Sequence, residues 1–404
     1  MFSPEEIKRS IAQAPAKRDN WAFANDPEWN EWVDHVGDAE VERIVKAGHH
    51  VPAVRRLRAA LEASQKQLVQ RDRPLEMLVA SALARVNIVF LGPPGTAKSL
   101  LVRTFAQALG VRNTERPIRE EGAAVRETLA QAAADHEGNP IPDKSDRRLF
   151  EYLLTRYTTP EELFGGANIK LLMEANSHSR RTVGLLPQAE IAFLDEIFKG
   201  NSAILNTLLS ITNEKIFFNM GQAFKVRLAF VVGASNESPD QQELGALFDR
   251  FPIRVSCLPV PDDDIEEVLA KAEVIDAAKL YAGDEKKEEK IPVACLNDIR
   301  LLSKVLVNKA FCGTDSDFFK NFCVLFKQLR REYSISDRTP AQLLRVCRAL
   351  ALLETDPDEP LTFQMRHLRA WGYIAPHFQE AEVLQRFVQD HITQKQVEAA
   401  NLFQ

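Results

Sequence analysis

Residues 92 to 99 read Gly92-Pro93-Pro94-Gly95-Thr96-Ala97-Lys98-Ser99, directly after the apolar run Asn87-Ile88-Val89-Phe90-Leu91 and directly before a helical pattern. A strand, a glycine-rich turn and a helix N-terminus in that order make a cradle of backbone N–H groups for phosphate, to which the helix dipole adds its positive end. Gly92 and Gly95 let the amides turn toward phosphate oxygens, and Pro93, Pro94, Thr96, Ala97 and Leu100 complete the loop. Lys98 is placed to reach the β and γ phosphates, and the Ser99 hydroxyl to coordinate magnesium. An ordinary Gly/Pro turn would leave the Lys98-Ser99 pair without a reason. The pattern implies an α/β domain that binds ATP with Mg2+.

Three further apolar runs have strand length, Ile191 to Leu194, Leu228 to Ala234 and Ile253 to Ser256, with a weaker candidate at Leu149 to Leu154. Their alternation with helical segments implies a parallel sheet covered on both faces. The run from Ile191 ends in Asp195-Glu196. Hydrolysis of ATP needs one carboxylate near the metal and another to polarise water, gathered at the carboxyl end of a buried strand. Asp195 is thus a candidate magnesium ligand and Glu196 a candidate general base. Two carboxylates after a strand also make a plain surface turn, and only the upstream loop favours the catalytic reading. Asn236, just past the run from Leu228, is placed to orient the lytic water, although an Asn at a strand end is by default a turn or cap residue.

The remaining chain sorts by composition. At 404 residues, with 45% apolar content, it is long enough for two or three domains with real cores. Residues 1–55 form a polar extension that holds Trp21, Trp29 and Trp32, expected to pack on the body of the protein, with a partner-docking surface as the sharper alternative. Residues 56–262 form the core, with a helical pattern from about Val54 to Ala84 and a polar insertion at about 111–147. A helical domain follows at 263–355, broken by the charged run from Asp284 to Lys290, and a helical tail closes the chain at 356–404. In that tail Val383, Leu384, Phe387 and Val388 make an apolar stripe expected to pack on the helices before it.

A net charge of −6 argues against a constitutive nucleic-acid or anionic-membrane binder. The five cysteines, Cys257, Cys295, Cys312, Cys323 and Cys347, contain no C-x-x-C pair, which fits reduced thiols in a cytoplasmic setting better than disulfides or zinc. No stretch approaches the roughly 18 apolar residues of a spanning helix, so no membrane insertion is expected.

Taken together, the phosphate loop, Asp195-Glu196, Ser235-Asn236, Asp249-Arg250-Phe251 and Ser336-Asp337-Arg338 resemble, in order and spacing, the MoxR branch of the AAA+ ATPases. Residues 150–165, 186–197 and 203–209 bring the likeness nearest to the RavA-like subgroup. The resemblance covers roughly residues 60 to 355 and implies an AAA+ P-loop core with a parallel five-stranded sheet, followed by an α-helical lid. It implies that Asn236 is the sensor-1 residue, Arg338 the sensor-2 arginine of the lid, and Arg250 an arginine finger acting on a neighbouring subunit. A finger in trans contributes on the order of 10³ to 10⁵ in rate, so a ring is implied, with a hexamer expected. Phe164 to Leu186 resembles the helix-2 insert of this clade, and Glu214 to Arg227 the hairpin before sensor 1. Arg180 and Arg181, within that insert, are either partner contacts or solvated. The 111–147 insertion and the tryptophan-bearing extension depart from the RavA-like pattern.

Members of the MoxR branch commonly act with a separate protein bearing a von Willebrand factor A domain, and a partner of that kind is implied here. Two functional readings follow: a chaperone-like remodeller of a protein complex, or a nucleic-acid motor of the same helix-2-insert clade. The acidic balance favours protein over DNA. A nucleotide-dependent scaffold without turnover is disfavoured, because Lys98, Ser99, Asp195, Glu196 and Arg250 are all present.

Overall fold

The computed structural model describes residues 37–113, 148–167, 173, 180, 182, 184–219, 222–226, 228–237, 249–281, 296–308, 317–333, 335–356, 361–377 and 379–401. Trp21, Trp29, Trp32, Arg181, the charged run at 284–290 and nearly all of the 111–147 insertion lie outside them. In chain order the elements are α1 (Asp38–Lys46), α2 (Val51–Gln65), α3 (Asp72–Ala84), β1 (Ile88–Leu91), α4 (Lys98–Ala108), β2 (Arg112–Asn113), β3 (Arg148–Leu153), α5 (Pro160–Phe164) and β4 (Ile191–Asp195). Then come α6 (Ser202–Glu214), β5 (Ile216–Asn219), β6 (Gln222–Lys225), β7 (Phe230–Ser235), β8 (Ile253–Ser256), α7 (Ile265–Tyr281), α8 (Leu296–Val307), α9 (Asp317–Glu332), α10 (Thr339–Glu354) and α11 (Ala381–Asn401). A 3-10 segment, Met365–Tyr373, joins the last two helices.

The main sheet has the strand order β2-β3-β4-β7-β1-β8, and the pairs β2–β3, β3–β4 and β4–β7 are parallel. Its body is the five-stranded sheet expected from the apolar runs, including the weak candidate that becomes β3. The two-residue β2 is an added edge. All four residues of β1 and all six of β7 are buried, which explains why they read as continuous apolar runs: a strand covered on both faces has no polar side to alternate. Two boundaries differ from the expectation. Strand β7 starts at Phe230 and runs through Ser235, and β4 runs through Asp195, because ladder pairing continues past the last large apolar side chain. The single helical pattern at 54–84 is two helices, α2 and α3, with Gln70 between them at φ +53°.

The described residues form two compact units, one of Asn87–Phe90 with Val111–Phe251, the other of Met1–Val86 with Leu91–Gly110 and Pro252–Gln404. The first holds β2, β3, β4 and β7 and the antiparallel hairpin β5–β6, in which Ile216 pairs with Lys225 and Asn219 with Gln222. Phe217 of that hairpin stacks on Phe164, ring centroids 5.9 Å apart.

The second unit holds the helical C-terminal region. Its aromatic core is Trp371, fully buried, with Phe322 and Phe326 at 5.0 and 5.7 Å between ring centroids. Helix α11 packs on the Met365–Tyr373 segment and buries Ala381, Leu384, Val388 and Ile392, at successive spacings of three, four and four. The tail stripe is therefore half right: Leu384 and Val388 are core, whereas Val383 and Phe387 are 68% and 39% exposed, because the helix rotates them off the buried face. Cys257 and Cys347 are buried free thiols and Cys323 is a half-buried one; burial pushes Cys347 up to about 12.

A polar cluster ties three elements of this unit. Arg369 bridges Glu76 of α3, at 2.6 Å, and Glu354 at the end of α10. Arg366 meets Glu354 at 2.5 Å, and the buried His367 places Nε2 3.3 Å from the same carboxylate. Burial alone would raise the Glu354 carboxyl, but the close His367 ring and the Arg369 guanidinium overcome it and hold the group at about 2. Below the ordinary carboxylate value near 4.5 the unfolded chain takes up this proton before the native one does, so stability falls as pH drops from about 4.5 toward 2. In urea titrations at stepped pH, Glu354→Gln is expected to be less stable than wild type near neutrality. That gap should narrow across the same acidic window, whereas a pH-independent gap would remove Glu354 from the acid transition.

Candidate functional site

The loop after β1 owes its shape to two glycines with different reasons. Gly92 has φ +153°, and a Cβ there would lie 2.1 Å from the Cys257 carbonyl oxygen, so no side chain fits. Gly95 has open space around it, and its φ of +80° is the requirement. Ala97, also left-handed at φ +61°, is the N-cap of α4 and bears a strain of about 1–2 kcal/mol for a non-glycine residue. Left-handed positions of this kind let neighbouring amides turn toward an anion, as in backbone nests that collect phosphate.

Lys98, the first residue of α4, is 7% exposed. Its ammonium donates to the carbonyls of Gly92, at 2.8 Å, and Pro93, at 2.9 Å, and the Thr96 hydroxyl donates to Pro93 at 3.0 Å. The loop is thus closed on its own lysine, while Pro94, Gly95 and Leu100 are exposed and Ser99 is half-buried. A phosphate group offers that ammonium a charged acceptor, and charge-assisted bonds are roughly twice as strong as those to neutral carbonyls.

Arg71 was not among the sequence candidates. It is 5% exposed and donates through Nε and Nη2 to the Thr96 carbonyl, both at 3.2 Å, through Nη2 to Leu258 at 2.8 Å, and through Nη1 to Gln70 at 2.8 Å. One planar fork therefore holds the loop to the segment before α3 and to the segment after β8. The Leu258 partner is 187 residues away in sequence, so no spacing rule could have signalled it. Nearby, burial pushes the Cys257 thiol up to about 11 against the opposing charges of Arg71 and Lys98, which keeps it a neutral thiol at physiological pH.

The other unit presents the carboxylates. Asp195 ends β4, and its Oδ1 accepts the Glu196 N–H at 3.0 Å. Glu196 is 7% exposed with φ +52°, a left-handed conformation that aims the side chain away from the strand direction. Its Oε1 accepts from the Asn236 amide just past β7. Its Oε2 lies 3.3 Å from the Lys199 ammonium, yet has no hydrogen-bond partner among the described residues; the separation is a charge contact without hydrogen-bond alignment. Register explains the Asn236 contact, since Leu194 pairs with Gly233 and the two chain ends emerge side by side.

Asn87, a second residue missed by sequence reasoning, is 8% exposed. Its side chain accepts the Val231 N–H at 3.0 Å and donates to the Arg250 carbonyl at 3.1 Å, fixing the backbone at Arg250 to β7. The fully buried Phe251 ring anchors the same segment. Arg250 pairs with Asp249 at 2.7 Å. Arg180 has a local structural role: its N–H donates to the Asn219 side chain at 2.7 Å and its guanidinium to the Gly165 carbonyl at 2.9 Å, which ties the insert to the β5–β6 hairpin. Arg338 is the exposed N-cap of α10, in the unit that carries the phosphate loop.

Replacing Arg71 by Met should leave the buried Thr96 carbonyl without its side-chain donor, at about 1–3 kcal/mol for a buried group left unsatisfied, while the partly exposed Leu258 carbonyl can turn to water. Chemical denaturation measures the loss, and a change under about 0.5 kcal/mol, typical of a surface substitution, would show that the loop holds its shape without Arg71. Gly92→Ala is expected to be more damaging, because the added carbon has the Cys257 backbone in its way and not a side chain that can rotate.

Among known proteins, the model for the MoxR domain in the MoxR-vWA-beta-propeller ternary systems matches residues 55–117 and 140–297, more than half of the chain. Two uncharacterised proteins of Methanocaldococcus jannaschii, MJ0812 and MJ0079, are each 39% identical over 193 residues, 48% of this chain and 42% and 41% of theirs. The structural protein ORF618 of Acidianus two-tailed virus is 32% identical over 169 residues, 41% of this chain and 26% of that one. The chain thus spans less than half the length of the curated relatives it matches. A solved structure of a candidate ATPase from Cytophaga hutchinsonii superposes with a TM-score of 0.57 at 14% identity, covering 86% of this chain and 97% of that one, a likeness of fold. With its phosphate loop, its buried strand-end carboxylates and a family match that runs through both, the chain belongs to the MoxR family of AAA+ ATPases, in the MoxR domain group of the MoxR-vWA-beta-propeller ternary systems.

Proposed function

We propose that the protein is an ATP-hydrolysing ring subunit that remodels a protein complex together with a partner bearing a von Willebrand factor A domain. The observation that carries the hydrolytic part is Glu196: a buried carboxylate with one oxygen held by Asn236 and the other facing Lys199 without a hydrogen bond. A carboxylate held in that way has one oxygen oriented and one available to take a proton from water. Lys98 and the loop amides bind the β and γ phosphates, and the present hydrogen bonds of Lys98 to two loop carbonyls support a loop preformed around that charge. The Ser99 hydroxyl and the Asp195 carboxylate are hard oxygen donors of the kind that Mg2+ takes. Mg2+ bound there would neutralise charge on the phosphates.

Arg250 is the proposed finger for a neighbouring subunit, and its backbone tether through Asn87 supports a role that needs fixed placement. Arg338, exposed at the start of α10, is the proposed sensor-2 residue. The name of the matched family supports a von Willebrand factor A partner and brings in a β-propeller component as a second. The likeness of residues 150–165 and 186–197 supports the finer placement near the RavA-like subgroup. A cytoplasmic site of action accords with the free buried cysteines, and no described helix is long and apolar enough to cross a membrane.

Mass photometry with and without ATP, paired with ATPase assays, tests the reading. Wild type is expected to form an ATP-stabilised hexamer with turnover. Glu196→Gln should keep nucleotide binding and assembly while turnover falls by about 10² or more, the range for a general base. Arg250→Ala should bind nucleotide as a monomer yet lose on the order of 10³ in rate. Turnover retained in Glu196→Gln removes that residue from its role, and a monomer with full activity removes the ring. Stimulation by DNA with a steep salt dependence would instead favour the nucleic-acid motor.

A further inference from the structure

Two helices of the C-terminal region turn exposed stripes to solvent. Around α7 the half-buried residues Asp264, Val268 and Lys271 mark the inner side. Lys271 donates there to the Leu68 carbonyl at 2.9 Å, and Gln70 donates to Asp264 at 2.9 Å. On the opposite side stand Glu266, Leu269 and Glu273, with Asp262 just before the helix. All four are exposed, Leu269 at 60%. On α9 the residues Phe318, Phe322, Leu325 and Leu329 are buried. The side opposite them carries Lys320, Val324, Lys327 and Arg331, again all exposed, Val324 at 43%.

The two stripes match in reverse. Read forward from Asp262, the first runs acid, acid, aliphatic, acid at spacings of four, three and four. Read back from Arg331, the second runs base, base, aliphatic, base at the same spacings of four, three and four. Laid antiparallel, Asp262 meets Arg331, Glu266 meets Lys327, Leu269 meets Val324 and Glu273 meets Lys320. The basic stripe is a local reversal in a chain of net charge −6. Among the described residues Asp262, Glu266, Glu273, Lys327 and Arg331 have no ion-pair partner, and Lys320 has only the exposed Asp317, at 3.4 Å. Each stripe faces away from the body it belongs to, so the match is met between chains and not within one.

We infer that α7 of one copy lies antiparallel on α9 of the next, with Leu269 against Val324 and the three carboxylates against the three cations. Because the two partners use different surfaces, the contact is head-to-tail, and such contacts close into a ring where the rotation allows. The inference rests on the ring reading for that closure and names one face of the subunit interface. A helix-on-helix contact is smaller than the roughly 1,200–2,000 Å² of a stable interface, and complementary charge fixes register and partner more than it adds affinity. The pairing therefore sets the orientation of a neighbour that other ring contacts also hold.

Charge reversal of the full chain, read by mass photometry with ATP across a concentration series, tests the pairing. Glu266→Lys with Glu273→Lys makes both stripes basic, and Lys320→Glu with Lys327→Glu makes both acidic, all at exposed helix positions that accept either residue. Each double variant alone is expected to need at least about tenfold more protein to assemble, because like charges then face one another. An equimolar mixture of the two should assemble as wild type does, in even-numbered rings, since each presents the charge the other lacks. The chain carrying all four reversals should assemble by itself. Assembly of either double variant alone at the wild-type concentration would overturn the inference and leave the ring standing. So would a mixture and a fourfold variant no better than the double variants. Wild type that stays monomeric refutes the ring, and the pairing is then decided by zero-length carbodiimide coupling of concentrated nitrogen-15-labelled and unlabelled chains. Coupling of Lys327 to Glu266 between chains is expected. Coupling only within one chain, or none while the Lys46–Glu42 pair at 2.6 Å still couples, overturns it.

Discussion

The nucleotide half of this protein depends on a close approach of two backbones: the chain at Gly92 passes so near the Cys257 carbonyl that a single added carbon would meet it at 2.1 Å. The contact continues in the bond from the Cys257 N–H to the Leu91 carbonyl at 2.7 Å, so the end of β1 and the exit of β8 are clamped before the loop begins. Arg71 then holds the far side of the loop at Thr96. With both ends fixed, Lys98 has its position defined without any ligand. The entropy of ordering the loop is met on folding and not at the moment of binding, the general basis of preorganised sites.

The carboxylate half uses a different device. Glu196 is buried, charged and left-handed, three costly conditions in one residue. Asn236 satisfies one oxygen and Lys199 supplies an opposite charge to the other, but no partner hydrogen-bonds Oε2 among the described residues. Neither the local strain nor the incompletely satisfied carboxylate serves stability, and both accord with the proton-accepting role proposed for Glu196. By contrast Asn87, with both ends of its amide bonded, is a buried polar residue that works as a brace.

In the helical region, polar groups and aromatics share the load. Trp371 and its phenylalanine neighbours make an aromatic cluster, and the adjacent Arg369, Glu354, Glu76 and His367 close around one another. The network joins α3, α10 and the segment before α11, so the helix that carries Arg338 is connected to elements far from it in sequence. Breaking such a cluster at one member leaves the others buried without compensation, which makes it a specificity device for this packing as much as a source of stability.

Much of this was written in local pattern. The loop at 92–99, the strands at 88–91, 191–195 and 253–256 and the carboxylates at 195 and 196 announce themselves, because a buried parallel strand is a continuous apolar run and a phosphate cradle needs glycine where the backbone turns. Periodicity also placed a helical tail, but it could not tell Leu384 from Val383 or Val388 from Phe387. Four apolar residues over less than two turns fit several rotations, and only the packing partner chooses among them. Arg71 and Asn87 were invisible for a related reason: their partners are carbonyls and amides, which every residue has, reached across 25 to 187 positions of chain. Arg180, which the sequence left as either a partner contact or a solvated residue, ties the insert to the hairpin. The sequence alone determined the chemistry at hand, since residue type and order dictate what can bind phosphate or move a proton. The tertiary structure alone decided which polar groups brace that chemistry, because hydrogen bonding to backbone depends on where the chain returns and leaves no trace in the residues that are met.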